Sequence, residues 1–245
     1  MVISRRKAIS LSGSTLAGLT ITSSVLQPGN VKAQGGPPSG KAGQQPFPDN
    51  LEEQTMRQGF PVELPLLADG SAPEHNRKEA GAIDGRLMWK TSDRKTPANI
   101  NPDYRQMAIR VETRGLAKLR GTMRFGDLQK LPEVTHTFLM QCGAAEPRGI
   151  VTWTGVSFAD FTSMLGLRPG VHYCRFTAAD GAYVDEDITT LQHKQVMLAW
   201  LMNGDPIPAD HGAPLRLVIP FRYGNRSIKG ITDMLFATPG LPPPA

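Results

Sequence analysis

Cysteine is nearly absent: 245 residues hold only Cys142 and Cys174. That number allows at most one disulfide and leaves no C-x-x-C-H haem-attachment motif. Acidic residues are missing from the first 33 positions, which carry Arg5, Arg6, Lys7 and Lys32. Without that stretch, 23 Lys and Arg face 22 Asp and Glu, so the formal charge of +5 is mostly N-terminal. The remainder has no basic patch that would mark a nucleic-acid partner. Neither extreme of composition is present. At 40% hydrophobic and 20% charged, the chain is neither disordered nor fibrous. The length suits one sizeable domain or two small ones. With 25 Gly and 21 Pro, turns and short strands are expected rather than long helices.

The N-terminus reads as an address. "SRRKAIS" opens residues 4–10, a small-residue apolar stretch runs from Leu11 to Leu26, and "VKAQ" supplies a cleavage-like site at Val31 and Ala33. This pattern is that of a secretory signal over residues 1–33, and the paired arginines resemble a twin-arginine signal. Ser10, Ser12, Ser14, Thr15, Thr20 and Thr22 make the stretch too polar to anchor as a membrane span. Twin-arginine export implies the periplasm, use of the export machinery and a protein folded before transport, commonly around a cofactor.

Residues 34–50 form a Pro/Gly/Gln linker. Residues 51–105 read mostly as loop. Strands are expected at 107–115 and 133–142, and a strand start with a short helix at 122–132. Residues 157–166 show a helical face of Phe158, Phe161, Met164 and Leu165, with Ser157 as N-cap and Gly166 after the end. A strand and turn follow at 171–181. Residues 189–204 start as a short helix and end as an apolar strand or helix before the Asn203-Gly204 turn. A buried strand is expected over 213–224. The pattern is that of an α+β domain over 51–240, with a Pro-rich tail at 241–245.

Three segments carry a resemblance: "QCGAAEPRGIVTWTGV" at 141–156, "MNGDPIPADHGAPLRLVIP" at 202–220, and "YGNRSIKGI" at 223–231. Together they resemble the sulfite oxidase family of molybdopterin enzymes, over roughly residues 85–240. The third and the end of the second also resemble its periplasmic methionine-sulfoxide-reductase branch. The resemblance implies a mixed sulfite-oxidase-type molybdopterin-binding domain of short strands and helices. It implies a molybdenum–molybdopterin cofactor, with the Cys142 thiolate as the metal ligand. A soft sulfur donor suits a redox-active transition metal. Cys174, in an expected strand, is read as a core thiol; a Cys142–Cys174 disulfide would consume the metal ligand.

The resemblance also places His211, Arg216, Gly224, Ser227, Ile228 and Lys229 around the pterin and its phosphate. Arg216 offers a forked, permanently charged donor set. Thr177 falls at a further cofactor contact. The family's Arg-Asn-His segment falls on Thr91, Ser92 and Asp93, which puts Ser92 and Asp93 at a second pterin contact. Sulfite oxidases follow the cysteine with Ala-Gly-Asn-Arg-Arg, whereas here Gly143, Ala144, Ala145, Glu146 and Pro147 precede a single Arg148. Arg148 is therefore the expected polarising group at the metal, with Arg222 and Tyr223 at the pocket rim. A tryptophan usual in the family is Gly230. No C-terminal immunoglobulin-like domain is expected in this chain.

The implied activity is a two-electron oxygen-atom transfer on a small sulfur-containing substrate, by sulfite oxidation or sulfoxide reduction. Without a haem in the chain, electrons need an external partner such as a c-type cytochrome or a membrane haem protein. Two other readings stay open: a cofactor-free binding module on the same fold, and a redox subunit of a larger electron-transfer complex.

Overall fold

The computed structural model describes residues 62–81, 89–91, 93–143 and 147–240. All of them belong to the unit Thr55–Ala245. The expected signal, linker and Pro-rich tail, together with Ser92, Ala144, Ala145 and Glu146, lie outside the described residues.

Two sheets of short strands make up the domain. The first contains β1 (Ala108–Glu112), β2 (Gly121–Arg124), β5 (Tyr173–Ala178), β6 (Tyr183–Asp187) and β10 (Ile231–Ala237), in the order β2-β1-β10-β5-β6. It is mixed, because β1 and β10 run parallel and its other neighbours antiparallel. The second contains β3 (Glu133–Gln141), β4 (Arg148–Ser157), β7 (Met197–Met202) and β8 (Asp205–Pro206), with β9 (Arg216–Val218) also paired to β7. Three short helices interrupt them: α1 (Phe125–Leu128), α2 (Phe158–Leu165) and α3 (Ile188–Leu191). This is the mixed architecture that the sequence predicts.

Local chemistry accounts for the boundaries. In α2 the Ser157 hydroxyl accepts a hydrogen bond from the Asp160 amide, and Gly166 ends the helix in the left-handed region at φ 63°. Phe158, Phe161 and Leu165 are buried as the periodicity predicts. The apolar run 197–202 resolves as a strand, β7. Leu198 and Trp200 enter the large core between the sheets, while Met197 and Ala199 enter a second cluster with Trp153 and Val218 on the other face. Burial on both faces explains its continuous apolar sequence.

Residues 213–224 differ from expectation, since only Arg216–Val218 is strand. The Leu217 amide donates to the Ile228 carbonyl, and the Ile219 amide donates to the Ser227 hydroxyl. Pro214 and Pro220 have no amide to offer. A loop thus takes the hydrogen bonds that a longer strand would need.

Residues 62–81 form a strap along β3 and β4. The His75 amide donates to the Thr137 carbonyl, and Glu74 bridges to Phe138. Buried Gln195 holds the strap at Ala72 through both ends of its amide, at 3.0 and 2.7 Å. Among the described residues no helix is long and apolar enough to cross a membrane.

Candidate active site

The β3–β4 hairpin positions the thiol. Its register runs from Glu133↔Val156 to Gln141↔Arg148, so Cys142 leaves the end of β3 where the chain turns back. The Cys142 amide donates to the Pro147 carbonyl. On one side the strap holds the turn: the Val62 amide donates to the Gly143 carbonyl at 2.8 Å, and the Gln141 side-chain amide donates back to the Val62 carbonyl at 3.2 Å. On the other side Gly224 faces the Gln141 carbonyl, which an added Cβ would approach to 3.4 Å. Cys142 is a half-buried free thiol, and Cys174 is a fully buried one whose pKa is raised well above the ordinary value by burial.

Arg216 is buried at 4% exposure, and burial lowers its pKa to about 10. One terminal nitrogen donates to the His211 carbonyl at 2.8 Å and the other to the Ser227 carbonyl at 3.2 Å. The guanidinium lies 4.8 Å from the Trp153 ring. Lys229 is half-buried, and burial followed by the charge of Arg216 lowers its pKa to about 8. Its ammonium lies 4.8 Å from the Trp89 ring and donates to the Asp210 carbonyl at 3.3 Å. His211 is lowered too, by burial and then by Arg216 and Lys229. Cys142 is within electrostatic reach of both Arg216 and Lys229, and a negative sulfur raises both of their pKa values.

These groups share a deficit. Arg216 Nε, His211 Nδ1 and Trp89 Nε1 are buried without a hydrogen-bond partner among the described residues. Buried polar groups without partners are rare. Two cations with lowered pKa values and three unpartnered nitrogens fit an anionic, heteroatom-rich ligand such as a phosphorylated pterin. Among the described residues, no cluster of three or more His, Cys, Asp or Glu could hold a metal ion. A metal at Cys142 would take its other donors from such a ligand.

A cavity of about 530 Å³ opens beside Lys229. It is lined by Gly224, Asn225, Ser227 and Ile228, by Trp89, Lys90 and Arg94, and by the β5–β6 turn around Asp180. Its size suits a cofactor. A second cavity of about 670 Å³ shares Asn225 in its lining, and Arg222 and Tyr223 line it too. A third cavity, about 710 Å³, lies between residues 167–173 and 187–192 and contains none of the expected site residues, so it is not assigned to the chemistry.

The structure therefore brings Cys142, His211, Arg216, Gly224, Ser227, Ile228 and Lys229 into one region. Arg148 starts β4 opposite Gln141 and is exposed. Asp93 is exposed and accepts from the Lys95 amide, while its neighbours Thr91 and Arg94 line the first cavity. Thr177 pairs with Tyr183 on β5 and β6 and is not in the cavity lining. Sequence reasoning missed Trp89, Trp153, Asn225 and the Arg226–Glu186 ion pair at 2.5 Å. Arg226 stood inside a quoted motif, but its partner is 40 residues away and no local spacing reveals it. The ring of Trp89 explains Gly230, whose added Cβ would come within 2.7 Å of it.

The fold and this thiol-centred cationic site define a cofactor-binding oxidoreductase domain. The family described as "Oxidoreductase molybdopterin binding domain" matches residues 96–239, and the chain belongs to that family. The chain is similar to the putative protein-methionine-sulfoxide reductase subunit YedZ1 of Azospira oryzae, with 30% identity over 55% of this chain and 51% of that protein. It is also similar to the protein-methionine-sulfoxide reductase catalytic subunit MsrP of Xanthomonas campestris, with 32% identity over 36% of this chain and 32% of that protein. The mitochondrial sulfite oxidase of Rattus norvegicus is 28% identical over 54% of this chain and 29% of its own length. The chain spans about half or less of these curated relatives. Among solved structures, the sulfane dehydrogenase SoxCD of Paracoccus pantotrophus shares the fold, with a TM-score of 0.51 and 17% identity over 78% of this chain and 57% of that chain.

Proposed function

We propose that the chain is a periplasmic molybdenum–molybdopterin oxidoreductase that transfers an oxygen atom and two electrons to or from a small sulfur-containing substrate. One observation carries the reading: a free Cys142 thiol lies within electrostatic reach of Arg216 and Lys229, two cations with lowered pKa values beside a cofactor-sized cavity. Cys142 would ligate the metal, and His211, Arg216, Gly224, Ser227, Ile228 and Lys229 would hold the pterin and its phosphate. When bound, the molybdenum cofactor supplies two-electron redox chemistry with exchange of an oxygen atom.

The protein's part is holding and charge balance. Arg216 is fixed by two carbonyls, so its Nε keeps one orientation. The Ser227 hydroxyl accepts from the Ile219 amide and keeps its own hydrogen for donation. His211, with its lowered pKa, offers a neutral imidazole. Arg148, at the hairpin that carries the thiol, would polarise the substrate oxygen. Ser92, Asp93 and Thr177 would be outer contacts of the pterin.

The "SRRKAIS" leader supports export by the twin-arginine route, with residues 1–33 as signal, 34–50 as linker and 51–240 as the functional domain. An external electron-transfer partner is supported by the relatives named as subunits. The test is molybdenum content after export from a molybdenum-replete host, wild type beside Cys142→Ser. Near-stoichiometric metal in the wild type and its loss in the variant are expected. A metal-free wild type would overturn the reading and leave a cofactor-free binding module.

A further inference from the structure

The turn that carries Cys142 is held by residues outside its own hairpin. β3 ends at Gln141, so Cys142 lies beyond the last paired position, and pairing within the hairpin no longer sets the direction of its side chain. Val62 takes over. Its amide donates to the Gly143 carbonyl, and its carbonyl accepts from the Gln141 side-chain amide, so it grips the chain on both sides of the thiol. Gln141 is itself buried, which fixes the donor of the second bond.

The grip is anchored in the core. Beyond Val62 the strap makes a closed turn. The Leu67 amide donates to the Ser71 carbonyl, the Gly70 amide donates to the Leu67 carbonyl, and the Asp69 carboxylate accepts from both the amide and the hydroxyl of Ser71. Ser71 and Ala72 are then buried. Gln195 meets Ala72 with both ends of its amide and is buried too. It stands two residues before β7, the strand buried on both faces. The strap then returns to β3 at Glu74 and His75. Residues 62–75 thus leave β3 beside the thiol and rejoin it at Phe138 and Thr137. The family-matched span begins at residue 96, so this clamp lies outside the matched domain.

We infer that Val62 is a positioning residue for the Cys142 sulfur, and that Gln195 sets it through the strap. A metal ligand needs its donor atom held within about 0.5 Å. Bonds to the residues on each side of the cysteine restrict it without touching the sulfur. The positioning stands on the bonds of the strap alone, and its use in metal retention rests on the proposed function.

The test is alkylation of the two cysteines by iodoacetamide, read by peptide mass spectrometry, in the full chain made in a host without molybdopterin. Cys174 is fully buried and Cys142 half-buried, so Cys174 reports global opening and Cys142 reports its own turn. Val62→Pro removes the amide that grips Gly143, and Gln195→Leu removes both bonds to Ala72. Cys142 is expected to label about tenfold faster in Val62→Pro and about threefold or more faster in Gln195→Leu, with Cys174 unchanged. Unchanged Cys142 labelling in Val62→Pro, or Cys174 labelling that rises in step, would overturn the inference. Unchanged labelling in Gln195→Leu would overturn the part given to Gln195. The same variants exported from a molybdenum-replete host should hold less molybdenum per chain than the wild type, and wild-type content in both would overturn the link to metal retention. A metal-free wild type would overturn the proposed function, while the labelling rates would still decide the clamp.

Discussion

Lys229 is the residue where protonation and the proposed cofactor binding meet. Its pKa is lowered from 10.5 to about 8, by burial first and the Arg216 charge second. Between those two values the unfolded chain holds more protons than the folded one. Stability of the cofactor-free protein should therefore rise as pH increases from about 8 to about 10.5. An anion bound at the site favours the ammonium and should flatten that rise. Thermal unfolding at about pH 7.5 and 9.5, with and without phosphate, checks the sign. Lys229→Met should remove the rise. A cofactor-free protein less stable at the higher pH would contradict this account of the site. Cys142 behaves differently. It is half-buried and packs in neither hydrophobic cluster, so Cys142→Ser should abolish metal retention while shifting cofactor-free stability by less than about 1 kcal/mol in denaturant titration.

At the scale of elements, the β4–β7 contact is the tightest joint near the site. Gly155 lies where the register shifts between the two strands, and an added Cβ would fall 1.9 Å from the Leu198 carbonyl oxygen. No rotamer relieves a clash between backbone and Cβ. Gly155→Ala should cost at least about 3 kcal/mol in denaturant unfolding and separate the hairpin of Cys142 from β7. The same elements show what sequence can disclose. The helix at 158–165 was legible because Ser157, Gly166 and the phenylalanine spacing agree on it. The motif residues from Cys142 to Lys229 were legible through resemblance, since no periodicity marks them. The early end of the strand at Val218 was not legible, because Ser227 and Ile228 take the backbone bonds from a distant loop. Nor were Trp89 and Asn225, whose importance is positional and appears only when separate segments meet.

At the scale of the whole domain, a mixed sheet and an antiparallel sheet share one large core, and the candidate site collects where loops from both converge. β5 and β6 of the first sheet supply Asp180 and Glu186, while the second sheet supplies Cys142 and Arg216. The site is thus a property of the assembled domain, and no single segment contains it. This explains why the chain divides legibility so unevenly: composition and local pattern give the architecture, while the functional geometry needs long-range register.

The strap has a consequence for solubility. β3 has one sheet neighbour, β4, so its outer edge would present open amides and carbonyls. Residues 74 and 75 cover that edge through the Glu74–Phe138 bridge and the His75 bond to Thr137. A fragment cut to the family-matched span, beginning at residue 96, would keep the sheets yet bare this edge. Exposed strand edges template association between copies. Such a fragment should elute as aggregates in size-exclusion chromatography, whereas one beginning at residue 62 should stay monodisperse. The strap guards the protein against self-association, and the boundary for dissecting this domain lies N-terminal to the motif-bearing sequence.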